Sequence, residues 1–328
     1  MYLLETDGGK SCSPFVRIPV ILIFIAVGLA CTSATFFGFL GEFSWFLDLF
    51  SHFRVQYFLS ISIIALFMLI IRKYKFAVWF GILALINLST FLPLYFGGQE
   101  NSDTGNQSCR VMLANVNTHY GNAERVAEAI LLYEPDILVL EEVSAKWIEE
   151  LKEVTTLYKY SEVCPRDDNF GIALFSKIPF EKSEILYIGG AKVPSISAEV
   201  KSRYGDFRLI ATHPPPPLVP EYWQARNKQL KAIPPIVKQS RIPVLLLGDL
   251  NTSPWSYHFK RLIKESELID SSQGRGVQPT WHSSNVLMRI PVDHCLHSPE
   301  ILILKKEIGR NVGSDHFPVI IDFAVKSE

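Results

Sequence analysis

Val244-Leu245-Leu246-Leu247 runs directly into Gly248-Asp249-Leu250-Asn251, an unbroken apolar stretch followed by a glycine and two polar side chains two positions apart. A short apolar run bounded by turn residues reads as a buried strand. Side chains two apart on a strand share a face, so Asp249 and Asn251 are expected together at the strand's end. A Gly-Asp-Leu-Asn turn with no further role is the alternative reading.

The pattern recurs along the chain. Val111-Met112-Leu113-Ala114 leads into Asn115-Val116-Asn117, ILVL (137–140) into Glu141-Glu142-Val143, and FRLIA (207–211) into Thr212-His213-Pro214. FGIALF (170–175) and VIIDF (319–323) have the same character; Ser314-Asp315-His316-Phe317-Pro318 precedes the second, and Val292-Asp293-His294 adds another carboxylate. Between the first two strands, ERVAEAILLY (124–133) has helical spacing, with Val126, Ile130 and Tyr133 on one face. Strands alternating with helices and no internal repeat predict a single α/β domain, its chemistry along one sheet rim.

Hydrophobic residues make up 48% of the 328 residues, and their excess lies before residue 97. Three uncharged apolar runs occupy 18–40, 55–71 and 76–96, against the roughly 20 residues a spanning helix needs. A signal peptide is the alternative for the first run, with Ala30-Cys31 suggesting a cleavage site, but the run continues past it. Lys10 and Arg17 precede the first run; Arg72, Lys73 and Lys75 crowd the turn between the second and third; the loop 41–54 carries Glu42, Asp48 and only Arg54. The positive-inside bias predicts a multi-pass membrane protein with everything after Phe96 extracytoplasmic, facing the periplasm if the cell is bacterial. GGQENSDTGNQS (97–108) reads as a flexible tether.

Beyond residue 96 there are 26 basic and 29 acidic residues, a near-neutral balance that argues against a dedicated duplex-DNA binder. The cysteines Cys12, Cys31, Cys109, Cys164 and Cys295 lack zinc-finger spacing. A Cys109–Cys164 bridge stays open, with buried thiols the default.

Taken together, residues 109–325 resemble the endonuclease/exonuclease/phosphatase superfamily. PDILVLEEV (135–143), DNFGIALFSK (168–177), GDLN (248–251) and SDHFP (314–318) carry the resemblance, in family order. The preceding helices and tether resemble that superfamily's membrane-anchored bacterial branch. The resemblance implies a four-layer α/β sandwich, two mixed sheets flanked by helices. It implies that Glu142 holds Mg²⁺ or Mn²⁺, with Asn115 and Asp315 beside the metal, hard oxygen donors of the kind such ions prefer. His316 is the expected general base, neutral at physiological pH and oriented by Asp293. Asp249 orients or deprotonates the attacking water, Asn251 contacts phosphate, and His213 is a general acid or phosphate contact. Asn115, Asn169 and Arg289 are further phosphate-contact candidates, and Glu141 stands behind Glu142 where the family usually has Gln. At Asn117 some members carry Asp, so one metal is the safer expectation. Trp223, Trp255 and Trp281 are read as stacking on a base, dipping into lipid or packing in the core.

The organisation expected is a membrane domain (1–96), a linker (97–108) and a catalytic domain (109–328). The activity implied is metal-dependent hydrolysis of phosphodiesters beside a lipid bilayer, in nucleic acid or a phospholipid headgroup. A sphingomyelinase-like or inositol-phosphate hydrolase and a non-catalytic membrane scaffold are the alternatives, and no protein partner is expected. Loops 187–202 and 253–281 are the expected discriminators: apolar tips favour lipid, basic tips nucleic acid.

Overall fold

In the computed structural model, which describes residues 14–98, 108–203 and 205–326, the apolar strand runs pack on both faces. β1 (Cys109–Asn115) sends Val111 and Leu113 one way, and Met112 and Ala114 the other. A strand buried on both faces has no polar alternation, which is why these segments read as continuous apolar runs.

The remaining elements complete two six-stranded sheets. β1 is followed by α5 (Ala123–Tyr133), β2 (Ile137–Glu141), α6 (Ala145–Glu150), α7 (Lys152–Thr155), β3 (Tyr160–Cys164) and β4 (Ile172–Ser176). Then come β5 (Phe180–Leu186), β6 (Ser195–Val200), β7 (Phe207–Thr212), α8 (Pro220–Lys238), β8 (Val244–Asp249) and α9 (Tyr257–Ser266). β9 (Ile269–Asp270), β10 (Asp293–His297), β11 (Ile301–Ile308) and β12 (Val319–Val325) close the fold. One sheet has the order β11-β12-β1-β2-β4-β3, the other β5-β6-β7-β8-β10-β9. Both are mixed: β1–β2 and β7–β8 are parallel, their other pairs antiparallel. Val139, Leu174, Leu209, Leu247 and Phe323 fill the space between the sheets. Val126, Ile130 and Trp147 cover the first sheet from outside, and Leu230, Ile233 and Phe259 the second. This is the expected four-layer sandwich. Sequence reading missed β3, β5, β6, β9, β10 and β11, of which β3 and β5 carry no buried side chain and therefore lack an apolar signature.

Ahead of the sandwich lie α1 (Pro14–Phe39), α2 (Trp45–Leu49), α3 (Arg54–Ile70) and α4 (Tyr74–Phe91), the last running into a 3₁₀ turn at Leu92–Tyr95. Two segments, Pro19–Phe39 and Tyr74–Tyr95, are long and apolar enough to cross a bilayer; Arg54–Ile70 is a shorter apolar helix of 17 residues. Ile61, Met68, Phe80 and Leu83 form a core between the helices, whereas Leu22, Ile23, Ile63, Leu66, Val78 and Leu85 face outward. Where the helices converge, the buried Arg54 guanidinium donates to Thr35 O (2.8 Å), and Asn87 Nδ2 donates to Thr35 Oγ1 (2.9 Å).

The connector between α1 and α3, with α2 at its centre, docks on the sandwich. Asp48 and Arg226 of α8 form an ion pair fully shielded from solvent. His52 Nδ1 lies 3.1 Å from Ser253 Oγ, and Trp255 Nε1 donates to His52 O (3.2 Å). Gln56 Nε2 reaches Arg289 O (2.8 Å), and Gly276 N donates to Leu94 O (2.9 Å). Lys10, Cys12 and residues 99–107 of the expected tether lie outside the described residues. Cys109 and Cys164 are free thiols on β1 and β3, which β2 and β4 separate. Three strand spacings make roughly 14 Å, too far for a disulfide.

Candidate active site

The rim where β1, β2 and β8 end and β10 begins gathers the polar residues. Parallel register sets Asn115 beside Glu141, and antiparallel register sets Asp293 beside Asp249. The buried Glu141 ties the two sheets together, since its Oε2 accepts from Asp249 N at 3.0 Å. Gly248 leaves room for that approach: a Cβ there would stand 1.9 Å from Thr212 O and 2.9 Å from Glu141 Oε1.

Glu142 follows the strand in a left-handed conformation (φ 61°). Its Oε1 accepts from Asn115 Nδ2 (2.9 Å), and its carbonyl accepts from Thr118 Oγ1 (2.7 Å). Oε2 is buried without a partner, and burial raises the carboxyl pKa above its ordinary value. A buried carboxylate oxygen left unpaired is costly, and a divalent cation is what such an oxygen fits. Asn117, also left-handed (φ 58°), donates through Nδ2 to Asp315 Oδ1 (2.8 Å), while Trp281 Nε1 donates to Asp315 Oδ2 (2.9 Å). Asp315 thus stands at the cleft with both oxygens already accepting, which suits a carboxylate that positions its neighbours.

His316 Nδ1 lies 2.8 Å from Asp293 Oδ2, and its Nε2 lies 3.6 Å from Asp249 Oδ2. His213 Nε2 stands 3.6 Å from the same Asp249 oxygen. Ligand atoms of Asp249, Asp293 and His316 lie within 4.8 Å of one another, close enough for a metal ion to be shared. The short His316–Asp293 contact instead makes this trio a histidine–carboxylate pair facing a second carboxylate.

Electrostatics separates the two histidines. Burial disfavours the His316 cation, but Asp293 and then Asp249 overcome it and raise its pKa to about 10. The expectation of a neutral His316 is therefore corrected: between two carboxylates it is an imidazolium. Burial, followed by the neighbouring His316, lowers His213 to about 3, which favours the neutral imidazole. Burial and then Asp293 raise Asp249 well above the usual carboxylate range, with His316 opposing them. Asp293 is lowered, burial notwithstanding, chiefly by His316.

Asn251 reaches the cleft by another route than strand alternation. β8 ends at Asp249, and Asn251 sits in a left-handed turn (φ 49°), its N donating to Asp249 Oδ1 (2.8 Å) and its Nδ2 to Pro214 O (2.9 Å). Asn169 lines the cleft with an unpartnered buried Oδ1. Arg289 does not reach it. Its guanidinium donates to His282 O (3.2 Å) and Ser283 O (2.5 Å) and lies over Phe317, closing its own loop. Sequence reasoning missed Leu49, His52 and Phe53, which line the cleft of about 610 Å³ from the connector, and Arg226, whose Nη1 holds Asn251 O at 2.9 Å. Of the tryptophans, Trp281 lines the cleft and Trp255 packs with Phe91 and Leu94.

Solved structures share this fold. The chain resembles a humanized D. rerio TDP2 at 18% identity, covering 66% of this chain and 99% of that one with a TM-score of 0.56. It resembles the human Nocturnin catalytic domain at 20% identity, covering 67% and 95%, with a TM-score of 0.55. An endonuclease/exonuclease/phosphatase from Beutenbergia cavernae is 20% identical over 68% of this chain and 72% of that one, with a TM-score of 0.54. No curated protein sequence matches. The profile of the Endonuclease/Exonuclease/phosphatase family matches residues 112–316, from the strand that delivers Asn115 to His316 itself. With that span of sequence folded into two facing sheets and its acidic rim assembled, the chain is a phosphoric ester hydrolase that belongs to the endonuclease/exonuclease/phosphatase family.

Proposed function

We propose that the chain is a membrane-anchored, divalent-metal-dependent phosphodiesterase in which residues 1–96 are the membrane domain, 97–108 the linker and 109–328 the catalytic domain. The observation that carries this reading is the unpartnered, buried Glu142 Oε2 in the same cleft as the His316–Asp293 pair. Glu142, with Asn115 and Asp315 beside it, would hold Mg²⁺ or Mn²⁺, which when bound neutralises phosphate charge and stabilises the leaving oxygen. Asp249 orients the attacking water and takes its proton. The His316 imidazolium, fixed by Asp293, donates from Nε2 to a phosphoryl oxygen. Neutral His213 and the amides of Asn251 and Asn169 supply polar contacts around the phosphate.

Anchoring is supported by the outward apolar faces of α1, α3 and α4 and by the basic turn at Arg72–Lys75. The α1–α3 connector and the end of α4 both touch the sandwich, as expected if the sandwich lies on the side opposite that basic turn, outside the cytoplasm. Bis-(p-nitrophenyl) phosphate hydrolysis by the full-length chain should need Mg²⁺ or Mn²⁺, stop with EDTA and collapse in His316→Ala. Activity indifferent to both EDTA and the substitution refutes the reading. Protease added to spheroplasts should remove the sandwich, and protection would reverse the orientation.

A further inference from the structure

We propose that the cleft carries an apolar subsite completed by the membrane domain, and that this subsite takes the hydrocarbon-bearing half of a phosphodiester drawn from the bilayer. The proposal rests on the phosphodiesterase reading above and names its substrate class.

Leu49 and Phe53 of the connector, Leu218 and Tyr222 after β7, and Met288 and Ile290 before β10 line the same cleft as Glu142 and His316. Among the described residues lining it there is no lysine or arginine; its acidic side chains are Glu142, Asp168, Asp249 and Asp315, beside His52, His213 and His316. A polynucleotide is held mainly through phosphate contacts with Lys and Arg, and these walls offer none. The two loops bearing Leu218 and Met288 end in apolar tips: Leu218 is 63% exposed, Val286 70% and Leu287 80%. An exposed apolar tip beside a cleft fits insertion into an interface. The connector wall fixes where that interface lies. Leu49 and Phe53 sit between the end of α1 at Phe39 and the start of α3 at Arg54, the level at which those helices leave the bilayer. Asp48–Arg226 and His52–Ser253 hold that wall against the sandwich. The subsite thus opens between the bilayer and the acidic rim, and one molecule with a phosphodiester and an alkyl chain spans both.

The test uses full-length protein in nanodiscs with Mn²⁺ and a series of p-nitrophenyl alkyl phosphates, methyl to octyl. Each buried methylene favours binding severalfold, so kcat/KM should rise at least tenfold along the series. Phe53→Ser and, from the opposite wall, Met288→Ser should each lower the octyl-to-methyl ratio at least threefold. A flat chain-length series in the wild type overturns the proposal while leaving the phosphodiesterase reading intact. A single-stranded oligonucleotide cleaved with higher kcat/KM than the octyl ester also overturns it. Failure to hydrolyse even the methyl ester with any divalent metal overturns the underlying reading instead.

Discussion

Asp48→Ala removes one partner of an ion pair that has no access to solvent, leaving the Arg226 guanidinium buried without a counter-charge. Breaking such a pair costs about 3–5 kcal/mol. Arg226 keeps two other acceptors, Asn251 O at 2.9 Å and Asn227 Oδ1 at 3.0 Å, so the lower end, about 3 kcal/mol, applies. At 1.4 kcal/mol per decade, the connector should detach roughly a hundredfold more often. Hydrogen exchange of the connector amides, measured on the full chain in nanodiscs, should accelerate by that factor while β1 and β8 stay protected. Substituting both partners, Asp48→Ala with Arg226→Met, should recover part of the loss, because an apolar replacement strands no charge. Unchanged connector exchange in Asp48→Ala, or a double variant worse than the single one by the full Arg226 contribution, would refute the docking argument.

Three further outcomes follow from the site. Asn115→Ala, which frees the Glu142 carboxylate held at 2.9 Å, should weaken Mn²⁺ binding about 10–100-fold by calorimetry, and Glu142→Gln more than that. His316→Ala should lower kcat about 10²–10⁴-fold, and Asp293→Asn should bring the His316 titration, followed by NMR, down from about 10. The connector should loosen in acid: burial, outweighing Asp48, lowers His52 from 6.5 to about 4. The exposed imidazole then gains a proton between those values while the docked one does not. Docking is therefore full above pH 6.5 and weakens as pH falls toward 4, by up to about 3 kcal/mol; connector exchange that is no faster at pH 5 than at 7.5 would contradict this.

What sequence revealed depended on how local each signal was. β1, β2, β4, β7, β8 and β12 were visible as apolar runs, whereas the equally buried β6 and β10 carry Ser, Asp and His side chains and were not; the polar ends of β1, β2 and β8 announced the rim. Asp249 and Asn251 were rightly grouped, yet by a left-handed turn that strand periodicity cannot supply. The charge state of His316 was invisible because it depends on Asp293 and Asp249, both distant in sequence. Arg289 resembled a phosphate ligand until its loop was seen to consume the guanidinium. The connector was hardest to read: Asp48 and Arg226 are 178 residues apart, and no periodicity links such a pair. The discriminating apolar tips also lie at Leu218 and Leu287, outside the two loops singled out beforehand.

The Asp48–Arg226–Asn251 chain of contacts has a consequence for where the chain can be cut. The connector lies between two apolar helices, α1 and α3, and reaches the sandwich only in a chain that carries them. A sandwich without the connector carries an uncompensated guanidinium directly behind Asn251 and lacks one side of its cleft. The helical segment is therefore part of the hydrolytic cleft: only a chain that carries it presents the complete wall. By the same logic, a recombinant fragment cut after the helices lacks the Leu49–Phe53 wall and differs in active-site architecture from the full chain.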